Sequence, residues 1–369
     1  MSNKNFDVYF DCGASKLRTI ALNKENSKNY FYEESNFFFN HENIEIEIQK
    51  MVSSIENNTK EYLKEVNLII DSPKMLSISI SISKKLDGSK LKEKDIQFLI
   101  QDAKQQILGN YNNINITHII IKNYKIDEIE YTFLPDDISC NLISLDIFFI
   151  CLPQEIVEYY KKIFFKLDIS VNKIFCSSYA KSINYIDNFS LIENISFIDI
   201  GFNKTSMTCY NKNEVIFLDV LPIGGNHITK DISKILKIDS HEAENLKLSF
   251  GKNPEVLKKK NISTVLIQKI IIARIEEILE LSAKAIELNL LNLKHFKIVL
   301  MGDGSKILDN EFKENISLLN DIDLIEETSM DIYKSVIKLA GGLNRQEVKV
   351  IPKKSIKQGF FESLFHFFK

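Results

Sequence analysis

The chain has 369 residues, 44% of them hydrophobic, and a formal net charge of −3. That length and apolar content support two or more domains with cores of their own and exclude an intrinsically disordered chain. The near-neutral balance supplies no global basic field, so no nucleic acid is expected as a partner.

Residues 7–11 read as a strand and 17–22 as its hairpin partner, with aromatic strand material following at 29–39. Ile44, Ile48, Val52 and Ile55 recur at helical spacing within 43–63, and 66–70 reads as a short buried strand. The stretch 75–83 alternates strictly, as a half-exposed strand does, and Asp87 with Gly88 marks a turn. A helix over 93–108 and strands over 116–124, 128–133 and 141–151 complete a small α+β insert. Pro153 opens a helix running to about residue 167, before a strand at 171–176 and a helix at 177–186. The second half begins with strands at 195–200, 204–211 and 215–220. Helices follow at 228–236 and 240–250, then a long helical pattern at 262–291, a strand at 296–301 and a last helix at 330–343.

An internal repeat organises these elements. Asp11-Cys-Gly-Ala-Ser-Lys16 and Asp199-Ile-Gly-Phe-Asn-Lys204 stand about half a chain apart. Both read D-x-G-x-x-K, both follow an apolar strand, and both enter a second strand ending Asn-Lys. Gly13 and Gly201 permit a tight turn and close approach to a phosphate, while backbone amides such as that of Ala14 point at anionic oxygens. Ser15, Asn203 and Thr205 add polar side chains, and Lys16 and Lys204 add positive charge. A strand-end Asp does not favour bare phosphate, so Asp11 and Asp199 are expected to face hydrated Mg²⁺. Two such hairpins facing each other would clamp a nucleotide between two similar domains. A third turn, Gly302-Asp-Gly304-Ser305, ends a strand, lets a base or ribose lie against the backbone, and places Ser305 to cap the following helix.

The five Cys are widely spaced without a C-x-x-C pair and are expected as reduced interior thiols of a cytosolic protein. The six His show no ligand spacing, which argues against structural zinc. The first residues hold no apolar secretory core, and no apolar run is long enough to span a bilayer, so a cytoplasmic location is expected.

The segment Gly359-Phe-Phe-Glu-Ser-Leu-Phe-His-Phe-Phe-Lys369 segregates fully on a helical wheel. Phe360, Phe361, Leu364, Phe365, Phe367 and Phe368 share one side, and the polar residues share the other. Lys349, Lys353, Lys354 and Lys357 precede it in a polar stretch broken by Pro352. An aromatic amphipathic helix behind a basic linker suits an anionic membrane surface; packing on the chain's own body is the competing reading.

These residues resemble the actin/Hsp70/sugar-kinase ATPase superfamily and, within it, the FtsA family. The closest stretch is Leu221-Pro-Ile-Gly-Gly-Asn-His-Ile-Thr-Lys-Asp-Ile232, followed by Glu242-Ala-Glu-Asn-Leu-Lys247 and Gly251. It is similar to the family's P-x-G-G-N-x-x-T-x-D-I and A-E-x-x-K-x-x-x-G patterns. On it the resemblance adds Gly224, Gly225, Asn226, Glu244 and Lys247 to the nucleotide-binding candidates. Ala273-Arg-Ile-Glu-Glu-Ile278 also resembles the family's R-x-E-E-I helix. The implied fold is α/β and actin-like (ribonuclease H-like), with duplicated domains around a nucleotide cleft and an FtsA-type insert called 1C. The implied division is 1–74 plus 152–190 (1A), 75–151 (1C), 191–236 plus 293–343 (2A), 237–292 (2B), 344–358 (linker) and 359–369 (membrane-targeting helix). The resemblance further implies ATP in the cleft, head-to-tail self-assembly, binding of the FtsZ C-terminal tail near 235–295, and a peripheral place on the inner membrane face at the division site. The second turn departs from the pattern of many relatives, D-I-G-G-G-T-T-D. Phe202, Asn203 and Lys204 replace two glycines and a threonine, and Ser206 replaces the final Asp. The 1C loop departs too, with Pro135-Asp-Asp-Ile-Ser-Cys140 in place of P-x-G-x-S-G. A pilus-assembly protein of the same superfamily and a small-metabolite kinase are the alternatives; a kinase needs a cleft base, for which no candidate stands out.

Overall fold

The computed structural model describes residues 5–25, 30–36, 44–250, 263–290, 296–308, 322–328, 330–340 and 347–348. The terminal aromatic helix expected at 359–369, and all of the expected linker except Glu347 and Val348, lie outside the described residues.

The first half is built on β1 (Phe6–Cys12), β2 (Lys16–Asn23), β3 (Tyr30–Asn36), α1 (Ile44–Thr59) and β4 (Glu65–Ile70). An insert follows, of β5 (Leu76–Lys85), α2 (Glu93–Asn110), β6 (Ile114–Ile126), β7 (Ile129–Tyr131) and β8 (Leu142–Pro153). The chain then returns through α3 (Gln154–Lys166), β9 (Ser170–Cys176) and α4 (Ser177–Ile186). The second half holds β10 (Asn194–Ile200), β11 (Thr205–Asn211), β12 (Glu214–Leu221), α5 (Gly225–Leu236), α6 (Ser240–Ser249) and α7 (Thr264–Asn289). It closes with β13 (Lys297–Met301), a short 3-10 helix (Asp303–Ile307), β14 (Asp323–Leu324) and α8 (Asp331–Ala340).

The repeat read from two short motifs extends to whole sheets. The first sheet has the order β3-β2-β1-β4-β9 and the second β12-β11-β10-β13-β14. In each, the first strand of its half pairs antiparallel with the hairpin strand and parallel with the strand on its other side. Parallel pairing needs a crossover, and α1 supplies it between β3 and β4. Val8, Tyr9 and Phe10 of β1 and Phe197 and Ile198 of β10 are all buried, and successive strand residues face opposite ways, so the central strand of each sheet is clad on both faces.

The helices bury one stripe each. In α1 the buried positions are Ile44, Ile48, Met51, Val52 and Ile55, the 3–4 spacing that puts side chains on one face. In α7, Ile267, Ile270, Ile271, Ile275, Ile278 and Ile286 repeat that logic against the second sheet, and the Ser263 side chain caps its first turn by accepting from the Leu266 amide. The insert forms its own four-stranded sheet, β5-β8-β6-β7, with α2 on it and a core of its own. The Ser/Ile run of β5, at the edge of that sheet, turns Ile78, Ile80 and Ile82 to the insert core and Ser79, Ser81 and Ser83 outward, which is why it alternates. All five cysteines are buried and unpaired, and burial pushes the Cys151 and Cys209 thiols up to about 12.

Candidate functional site: a cleft between two matching turns

The two D-x-G-x-x-K turns have the same backbone geometry. The Gly13 amide donates to the Lys16 carbonyl at 3.0 Å, and the Gly201 amide donates to the Lys204 carbonyl at 2.9 Å. Both turns open onto one cavity of about 770 Å³, within the usual range for small-molecule sites. Asp11, Gly13, Ala14, Ser15 and Lys16 line it from the first half. Asp199, Gly201, Asn203, Lys204, Gly225, Glu244, Lys247 and Gly304 line it from the second. Tyr159, Tyr160, Phe202, Leu248, Phe250 and Ile307 give it apolar wall, as a flat heterocycle requires.

Five candidates do not line it. Thr205 is fully buried, its hydroxyl donating to the Ile223 carbonyl at 2.8 Å. Ser305 lies within the 3-10 helix and donates to the Gly302 carbonyl at 2.8 Å. Asn226 donates to the Asn203 side chain at 2.9 Å, so it orders the second turn from behind. Gly224 and Gly302 act by permitting close approach. A Cβ on Gly224 would stand 2.5 Å from the Gly201 carbonyl oxygen, so only glycine lets α5 dock on the second turn. A Cβ on Gly302 would collide with Asp199 and Ile200, so only glycine lets the end of β13 approach the end of β10.

Lys204 and Lys247 line the cavity with their ammonium groups already engaged. Lys204 Nζ reaches across to Asp71 at 2.6 Å and Ser178 Oγ at 2.9 Å, tying the second turn to the first half. Asp71, which belongs to no sequence motif, is a wall of the cleft. Lys247 Nζ donates to Gly225 O, Thr229 Oγ1 and Glu244 Oε2 at 3.0, 2.9 and 2.8 Å, which uses all three of its protons. Burial lowers its pKa against the raising effect of Glu244.

Sequence reasoning missed Arg18, Lys181, Asp303 and Glu327. Arg18 stands directly opposite Asp11 in the β1–β2 register. It donates to Asp11 at 2.9 Å, to Asp303 at 2.6 Å and to Glu34 at 3.3 Å. Lys181, from α4, bridges Asp199 and Glu327, each at 3.2 Å. Asp303 also receives Lys306 at 2.6 Å and lies 3.5 Å from Lys16. Burial opposes charge on Lys181, but Asp199 and Glu327 more than offset it and drive its pKa above the ordinary lysine range. Burial likewise works against Asp303, yet Arg18, Lys306 and Lys16 hold it well below the usual carboxylate range. For Asp11 burial dominates over Arg18 and Lys181, and its pKa is raised.

These pairs decide how the site fits its expected ligands. A nucleotide fits the volume, the turns and the apolar wall. A hydrated Mg²⁺ between Asp11 and Asp199 does not fit the donor set, because each carboxylate already holds a fixed cation of the chain. Among the described residues no cluster of His, Cys, Asp or Glu is arranged to hold a metal.

Two sheets of one topology, each presenting its Asp–Gly turn to a shared cleft, define the actin-like ATPase fold. The chain superposes on a protein of the PilM–PilN type IV pilus biogenesis complex with a TM-score of 0.61 at 12% identity, over 89% of each chain. Within that class, residues 196–330 match the family model described as Cell division protein FtsA. The chain is 26% identical over 314 residues to the cell division protein FtsA of Buchnera aphidicola subsp. Acyrthosiphon pisum, covering 76% of this chain and 74% of that one. It is 23% identical over 292 residues to the cell division protein FtsA of Borreliella burgdorferi, covering 70% and 69%. The resemblance to FtsA read from the sequence is borne out, and so is the actin-like fold.

Proposed function

We propose that this chain is an ATP-binding, self-assembling actin-like cell division protein that tethers FtsZ filaments to the inner face of the cytoplasmic membrane. The observation that carries the reading is the shared cavity: two duplicated turns from two matching sheets face one space of nucleotide size. The triphosphate lies between the turns at 11–16 and 199–204, with the base toward Leu248, Phe250 and Ile307. The nucleotide acts by ordering the two halves across the cleft. We assign 1–74 plus 152–190 to 1A, 75–151 to 1C, 191–236 plus 293–343 to 2A and 237–292 to 2B. Head-to-tail self-association, an FtsZ tail site near 235–295 and a location at the division site belong to the same proposal.

The membrane step rests on residues 359–369. Burying Phe360, Phe361, Leu364, Phe365, Phe367 and Phe368 in lipid contributes on the order of 10 kcal/mol gross, offset in large part by helix ordering and lost freedom. One such anchor is reversible, and assembly multiplies it. Among the described residues no helix is long and apolar enough to cross a membrane. The test is co-pelleting of purified FtsZ with anionic liposomes. The full chain is expected to carry FtsZ into the pellet; Phe361→Asp with Phe365→Asp is expected to reduce this to background. Undiminished pelleting by the double variant contradicts the tether.

A further inference from the structure

Both strand-end carboxylates of the cleft are held by side chains of this protein. Asp11 meets the guanidinium of Arg18 at 2.9 Å, and Asp199 meets the ammonium of Lys181 at 3.2 Å. The two cations come from unlike places, Arg18 from β2 and Lys181 from α4, so the duplication did not produce them as a pair. In the first turn the residue across the hairpin from the Asp is Arg18; in the second it is Ser206, and the charge arrives instead from a helix of the other half. Both side chains line the cavity, and each is only 14% exposed.

We propose that Arg18 and Lys181 occupy the place of the divalent cation in this cleft, so that the nucleoside triphosphate binds as the metal-free anion. The inference rests on the nucleotide reading of the cavity. A divalent ion at such a site stands between protein carboxylates and phosphate oxygens and neutralises both. Arg18 already stands against Asp11 and Asp303, and two of its five N–H donors remain beyond the three engaged with Asp11, Asp303 and Glu34. Guanidinium is weakly hydrated and matches phosphate geometry, so it neutralises phosphate without the shell of ordered water that Mg²⁺ keeps. Admitting hydrated Mg²⁺ would require displacing both fixed cations from buried carboxylates, or placing a divalent ion beside them.

The test is calorimetric titration of the full-length protein with ATP, once with excess Mg²⁺ and once with EDTA. The expected result is a Kd that agrees within about threefold between the two buffers. In Arg18→Ala, which frees Asp11 while Asp303 keeps Lys306 and Lys16, ATP is expected to bind at least tenfold more tightly with Mg²⁺ than with EDTA. Circular dichroism and the thermal midpoint confirm that the variant is folded, and Lys181→Ala serves as the second variant if it is not. Tenfold or greater Mg²⁺ dependence in the unaltered protein overturns the inference while leaving the nucleotide cleft intact. Absence of ATP binding in both buffers overturns the cleft reading and this inference together. A folded variant that binds ATP equally in both buffers overturns the assigned role of its cation.

Discussion

Gly302→Ala is expected to destabilise the protein by about 3 kcal/mol or more and to abolish nucleotide binding, read as a fall in the urea midpoint at unchanged slope. Gly302 sits at φ 94° and ψ 161°, a region that only glycine enters without strain. A Cβ there would stand 2.2 Å from Asp199 Oδ1 and 2.6 Å from the Ile200 carbonyl oxygen. Both obstacles are rigid: Asp199 is fixed by Lys181, and Ile200 ends a central strand. The side chain cannot be accommodated by a rotamer change, so the end of β13 must part from the end of β10. That is where the second Asp–Gly turn begins, so stability and binding should fail together. A stability loss below about 1 kcal/mol would mean the turn tolerates a side chain and that glycine is not needed there.

Lys181→Met is expected to cost about 3–5 kcal/mol at neutral pH, because it leaves Asp199 and Glu327 buried without their counter-charge. The side chains of these carboxylates are only 5% and 10% exposed. The sign of the pH dependence separates lost charge from lost packing. Glu327 is already raised, by burial first and by Asp199 as well, with Lys181 holding it down. Removing the lysine raises Glu327 further in the folded state. A carboxyl whose folded pKa exceeds its unfolded value of about 4.3 favours the native state at low pH and loses that contribution as pH climbs to the folded value. The deficit relative to the unaltered protein should therefore shrink as pH falls from 7 to 5. A deficit that is constant over that range would make Lys181 a packing residue.

Much of the fold was legible because its signals are local. Strand and helix periods mark the elements, and the duplicated D-x-G-x-x-K motif fixed two hairpins whose register the structure reproduces turn for turn. The alternation of strand faces held more than was taken from it. Thr205 pairs with Ile200, and Ser206 with Asp199. Period-2 geometry therefore sends the Thr205 hydroxyl to the face opposite Asp199. The same register makes Arg18 the partner of Asp11, so its place in the cleft could have been found by counting back along the hairpin. Lys181, Asp303, Glu327 and Asp71 carry no such local mark. Lys181 reaches Glu327 across a sequence separation of 146, and Lys204 reaches Asp71 from the other half of the chain. Ion pairs of that range depend on how the two sheets face each other, which no motif encodes.

In the proposed function both turns hold one triphosphate. Calorimetric titration with ATP of the unaltered protein and of two variants, Ser15→Asp in the first turn and Asn203→Asp in the second, tests it most directly. Each added carboxylate faces the cavity from a different half. One ATP per chain is expected, with affinity falling at least tenfold in each variant separately. Binding weakened by only one of the two substitutions, or by neither, would contradict a ligand shared between the turns.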